Sequence, residues 1–109
     1  PKALLAWYQK ALGVPSESPD YATFFPAAMP AGSCTVFSPF MIDTEYFAPS
    51  ASPFMFNLVV DDLDGALKQV LDAGATLAGD VASYDYGRFG WFIDPDGNKV
   101  ELWEPTAPA

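Results

Sequence analysis

Residues 86–105, YGRFGWFIDPDGNKVELWEP, can hardly fold as anything but a β-hairpin. Asp94-Pro95-Asp96-Gly97-Asn98 is concentrated turn chemistry. Proline presets φ, glycine accepts positive φ, and Asp and Asn bond their own backbone. The flanks are aromatic and β-branched, as strands prefer. Pivoting on this turn sets Trp91 opposite Glu101 and Phe89 opposite Trp103, with Phe92, Val100 and Leu102 on the other face. Glu101 is then an acid flanked by Val100 and Leu102 inside a strand. An unpaired buried carboxylate is costly, so Glu101 must face water, a partner or a cavity.

Upstream, residues 2–12 carry Leu4, Leu5, Trp7, Tyr8, Ala11 and Leu12 at helical spacing, and Gly13 and Pro15 stop the helix. A polar loop over 15–20 follows. Tyr21–Phe25 and Ser33–Ser38 read as short strands joined by a Pro/Ala/Gly connection. Phe54–Val60 reads as a strand broken by one polar residue, Asn57. Asp61, Asp62 and Asp64 supply a cap and first-turn charge to a second helix. Its apolar stripe is Leu63, Ala66, Leu67, Val70 and Leu71, and Gly74 ends it. Thr76–Leu77 and Ala82–Tyr84 are weaker strand candidates. The order of elements repeats at a spacing of roughly 50 to 60 residues.

At 109 residues the chain suffices for one small domain. Charged residues are 17%, below the usual quarter or so, and half of the residues are hydrophobic, which argues against disorder. Fourteen acids against five bases give a formal charge of −9, which disfavours nucleic acid and anionic membrane surfaces as partners. The same charge would draw cationic ligands into a cleft. Cys34 is the only cysteine and the chain has no His. We expect Cys34 to be a small buried hydrophobe, in a reducing, cytoplasmic compartment. No signal peptide is visible, and no apolar run approaches the ~18 residues of a membrane span. The opening Pro1 leads straight into a helical pattern, so further residues upstream are expected.

Three stretches carry a resemblance. They are Ala6-Trp7-Tyr8-Gln9-Lys10-Ala11-Leu12-Gly13, Val59 to Leu67 with Ala73-Gly74, and Tyr86 through Trp103. Together they resemble the vicinal oxygen chelate superfamily, which includes glyoxalase I, bleomycin-resistance proteins and extradiol dioxygenases. The resemblance implies an α+β fold of two βαβββ modules in a cupped mixed sheet with helices outside. Here the first module lacks its leading strand. One domain over 1–109 would divide into module one at about 1–40, a crossover loop at about 41–53 and module two at about 54–105. A homodimer is also implied.

In metal-dependent relatives the ligands, often His and Glu, come from the first and last strands of each module. Glu101 falls at the last-strand position of module two. The first-strand position falls at Met55, with Asn57 the nearest polar inward residue. Met is a poor ligand for hard or borderline metals. Thr35 or Val36 stands at the remaining position this chain contains. Closed or catalytic metal sites need three or four ligands, so no cofactor is expected; a divalent metal, if bound, would sit at Glu101. The expected pocket is aromatic-walled, with Met55, Asn57, Phe89, Trp91, Glu101 and Trp103; Arg88 reads first as a structural loop contact, and second as a ligand-binding residue able to neutralise Glu101. Two functions follow. One is a small-molecule-binding protein that sequesters a cationic or aromatic compound, as bleomycin-resistance relatives do. The other is a metal-dependent glyoxalase-type lyase, isomerase or dioxygenase with Glu101 as ligand. Turnover is not decided by these residues.

Overall fold

The structure is a computed structural model that describes residues 2–16 and 18–106; Pro1, and Glu17 within the 15–20 loop, lie outside them. Helix α1 spans Lys2–Leu12 and helix α2 spans Leu63–Asp72. Five strands follow the order β1 Phe56–Val59, β2 Thr76–Leu77, β3 Ala82–Tyr84, β4 Gly87–Ile93 and β5 Lys99–Pro105. They form one mixed sheet in the order β1-β5-β4-β2, with β3 also paired to β4. β4 and β5 are antiparallel, and β1 runs parallel to β5. The class is α+β, with both helices on one side of the sheet.

The closing hairpin has the expected register, Trp91 opposite Glu101 and Phe89 opposite Trp103. Its turn is held by Asp94, whose Oδ1 accepts from the backbone N–H of Asp96 at 3.0 Å and of Asn98 at 2.9 Å. Tyr8 of α1 donates its hydroxyl to Asp94 Oδ2 at 2.8 Å. Burial, then that hydrogen bond to a carboxylate, pushes the Tyr8 phenol far above its ordinary range, so it stays a donor.

α2 begins where the acids predict. Asp62 is its N-cap and accepts from Gly65 N–H at 3.1 Å, satisfying one of the free first-turn donors. Another, Leu63 N–H, reaches Glu104 Oε2 of β5 at 2.8 Å and pins the helix to the sheet. The apolar stripe Leu63, Ala66, Leu67 and Val70 then lands on Phe92, Val100 and Leu102, all fully or nearly fully buried. Full burial of such side chains contributes about 1.5–3 kcal/mol each. Leu71, expected in the stripe, points outward. α1 closes the same core through Ala11, Trp7 and Tyr8. Its Trp7 Nε1–H donates to the Ala73 carbonyl at 2.9 Å, beyond the end of α2.

The first half departs from expectation. Among the described residues, Tyr21–Phe25 and Ser33–Ser38 are not strands; the only regular element between α1 and β1 is a 3₁₀ turn at Pro26–Ala28. Strands need a backbone partner, and a five-residue apolar run alone does not supply one. These two runs are separated and flanked by Pro26, Pro30 and Pro39, which remove ladder donors. Cys34, expected to be buried, is exposed for the same reason: no sheet forms around it. Among the described residues, no helix is long and apolar enough to cross a membrane.

Candidate functional site

The two faces of the sheet have different tasks. Phe92, Val100 and Leu102 face the helices, so strand alternation turns Trp91, Glu101 and Trp103 to the opposite face. Parallel pairing of β1 sets Asn57 directly beside Glu101. Asn57, Glu101 and Trp91 therefore form one row across β1, β5 and β4. This differs from the expected alignment, which gave the first-strand position to Met55. Met55 is half-buried and lines the same cleft two residues away.

Glu101 is buried, only 9% exposed, and accepts three hydrogen bonds from uncharged donors. Asn57 Nδ2 donates to Oε1 at 2.6 Å, and Trp91 Nε1 donates to Oε2 at 2.8 Å. The third donor is the Tyr46 hydroxyl, also to Oε2, at 2.6 Å. Loss of solvent around its hydroxyl, then the bond to the Glu101 carboxylate, pushes the Tyr46 phenol well above its ordinary range. Tyr46 thus remains a proton donor to the acid at any physiological pH.

No ion pair reaches Glu101 among the described residues. Arg88, expected to neutralise it, is on the other face. It pairs with Asp64 of α2 at 2.8 Å and with Glu104 at 3.6 Å. The reason is the alternation of β4: with Phe89 and Trp91 turned to the face of Glu101, Arg88, one residue before Phe89, must turn to the helices. Among cations, Lys99 comes nearest to the site. Its Nζ stands 5.2 Å from the Tyr46 ring centroid and 5.9 Å from that of Trp91, and it donates to the Tyr46 carbonyl at 2.6 Å.

The wall beyond Glu101 is aromatic. Phe89 and Trp103 stack with centroids 6.0 Å apart and planes 4° apart. Tyr84 and Tyr86 stack on each other and meet Phe89 edge-on. Trp103 Nε1–H is taken by the Tyr86 carbonyl at 3.0 Å, so this indole serves as a fixed wall and has no free donor. Residues drawn from 34–53, ahead of β1, form the opposite side, and Phe40 stacks on Tyr46. The cleft between them is open to solvent and has a volume of about 1640 Å³.

The donor set at Glu101 does not fit a family-type metal. Its neighbours are a phenol, an amide and an indole, and an indole N–H cannot ligate. Among the described residues, no group of three or more His, Cys, Asp or Glu comes together anywhere.

Of the sequence-derived candidates, the fold gathers Met55, Asn57, Phe89, Trp91, Glu101 and Trp103 on one face and sends Arg88 to the other. Tyr46 and Lys99 are additional. Lys99 was legible: it precedes Glu101 by two residues on one strand and so shares its face. Tyr46 had no comparable signal, because it comes from an irregular crossover.

A protein-family model described as a glyoxalase-like domain matches residues 1–103. No match was found among curated proteins. Among solved structures, the chain is similar to a member of the glyoxalase/bleomycin resistance protein/dioxygenase superfamily from Sphaerobacter thermophilus DSM 20745. That likeness has 33% identity and a TM-score of 0.40, over 44% of this chain and 39% of that one. It is similar to TnmS3, an antibiotic binding protein from Streptomyces sp. CB03234, with 29% identity and a TM-score of 0.43 over 50% of this chain and 45% of that one. A protein from the mobile metagenome of V. Pseudocholerae matches at 19% identity and a TM-score of 0.50, over 92% of this chain and 81% of that one, a likeness of fold. The chain spans less than half the length of the first two.

Proposed function

This chain belongs to the glyoxalase-like domain family, within the vicinal oxygen chelate superfamily, and from that premise we propose that it binds a small cationic or aromatic molecule over Glu101. It holds the ligand by sequestration, without a family-type metal. The observation that carries this reading is a buried carboxylate bonded by three neutral donors, facing an aromatic cleft, with no counter-ion in contact. Neutral donors spread the negative charge without cancelling it. A ligand cation beside the rings would gain both the field of the carboxylate and cation–π attraction, about 0.5–2 kcal/mol for the latter. The formal charge of −9 adds long-range attraction for the same ligands.

The test is a thermal-shift and calorimetric panel of planar cations and their neutral isosteres, with divalent metals as a further arm. Planar cations should stabilise the protein, and Glu101→Gln should weaken them by about tenfold or more, since hydrogen bonds to charged groups are worth about 1.5–3 kcal/mol. Stoichiometric metal retained through dialysis, with no response to any organic ligand, would sink the reading in favour of a metal enzyme.

The same chain is proposed to work as a homodimer. Phe37 is 92% exposed and Ile42 fully so, beside exposed Val36 and Met41. Soluble proteins seldom leave apolar residues in such numbers against water. Light scattering on purified protein should give twice the chain mass, and Phe37→Ser should shift it toward the monomer. A monomer at tens of micromolar (roughly the range in which stable dimers persist) would refute the pairing.

A further inference from the structure

Tyr46 and Trp91 meet edge-to-face, with centroids 6.2 Å apart and planes at 89°. Both donate to the same oxygen of Glu101. The two rings therefore make a right-angled corner with an anion fixed at its base. The Lys99 ammonium stands in reach of both rings, 5.2 and 5.9 Å from their centroids. Yet it makes no ion pair with Glu101, and its hydrogen bond goes to the Tyr46 carbonyl. A primary ammonium in a cation–π corner that stops short of the carboxylate leaves the strongest electrostatic contact of the site unused.

We infer that this corner is a subsite for an organic ammonium group and that Lys99 is its internal occupant, a specificity-determining residue that an incoming ligand must displace. The corner adjoins the cleft through Tyr46 and Glu101, which line it; the inference rests on the cleft reading above and names the ligand class for it. The flexible four-carbon stem of lysine permits the displacement, since it can swing to solvent from the strand end where Lys99 lies. Quaternary or alkylated ammonium groups are favoured over a primary one, because they are more weakly hydrated and lose less on leaving water for the rings. Neutral ligands of the same shape gain nothing from moving Lys99, so its presence selects for cations that compete better than the chain's own. Displacement also releases the Tyr46 carbonyl, so the crossover segment carrying Tyr46 becomes freer to adjust around the guest.

Benzyltrimethylammonium, with benzyl alcohol and 1-naphthol as neutral aromatic probes, tests this in the whole chain. In the free protein, NMR should find the Lys99 ε-protons shifted upfield by the two rings, and benzyltrimethylammonium should return them to ordinary values. Lys99→Met keeps the stem and removes the charge. It should tighten benzyltrimethylammonium by roughly three- to thirtyfold, the range that one cation–π contact spans. Neutral probes should change less than about twofold, the scatter of an uninvolved surface change. If neutral aromatics bind but Lys99→Met does not tighten the ammonium, or the ε-protons show no ring shift, the subsite is overturned and the cleft reading stands. If no probe of either kind binds wild type or variant, both fall.

Discussion

Gly87→Ala is expected to cost the domain about 3 kcal/mol or more, a large share of the 5–15 kcal/mol that holds a typical small domain together. Gly87 opens β4 at φ +136°, a region closed to side chains, which by itself costs on the order of 1–3 kcal/mol. A Cβ there would also enter the Glu104 carbonyl oxygen and lie 2.5 Å from Trp103 Nε1. Backbone cannot yield as a side-chain tip does, so β5 must move away from β4 where Gly87 pairs with Pro105. The indole that stacks on Phe89 moves with it, and one wall of the cleft is lost. Urea denaturation followed by tryptophan emission measures the cost. Gly97→Ala is the control: φ is +84° but nothing lies within 4 Å of the added carbon. It should cost about 1 kcal/mol, from conformation alone. Equal losses in the two variants would show that the crowding against Glu104 and Trp103 has no energetic weight.

Glu101→Ala is expected to destabilise by about 2 kcal/mol and to loosen the crossover more than the sheet. The substitution strands three donors at once, those of Tyr46, Asn57 and Trp91. A buried donor left unpaired costs about 1–3 kcal/mol, but Asn57 is exposed and recovers water, so the sum falls well short of three full penalties. Removing one of fourteen acids relieves some repulsion, worth a few tenths of a kcal/mol through solvent, and does not reverse the sign. Trp91→Phe, which frees one partner only, should cost about half as much. Chemical denaturation gives the totals, and limited proteolysis within 40–53 reports the loosening. An unchanged denaturation midpoint in Glu101→Ala would mean that the three hydrogen bonds contribute nothing net, and the site would lose its energetic basis.

The parts of this architecture that follow local rules were readable. The Asp94–Asn98 turn fixed the hairpin register, and register alone put Glu101 against Trp91 and the core residues on the opposite face. Asp62 and Gly74 bounded α2, and even the short strands at Thr76–Leu77 and Ala82–Tyr84 stand where their residues suggested. Tyr46 belongs to the unreadable part because its role depends on a contact 55 residues away and on a segment with no period. Arg88 was misplaced by weighing its charge and neglecting its parity: an odd-numbered neighbour faces the cleft, so an even one cannot. The runs at 21–25 and 33–38 have strand composition but no strand beside them, and composition cannot supply a partner.

The partners of Glu101 also differ in how far along the chain they come from: 10 residues for Trp91, 44 for Asn57 and 55 for Tyr46. For a flexible chain, closing the longest of these loops costs about 1.5 kcal/mol more entropy than closing the shortest. By loop entropy the indole is therefore the cheapest partner of the acid, within the hairpin, and the phenol the most expensive. During synthesis none of this can begin until residue 101 has emerged, by which point Tyr46 and Asn57 have long been waiting without it. A chain whose hairpin has closed before its crossover holds that carboxylate by the Trp91 indole alone. The donor set around Glu101 is thus complete only when the hairpin, β1 and the crossover have all come together, so the site appears with the tertiary fold and not before it.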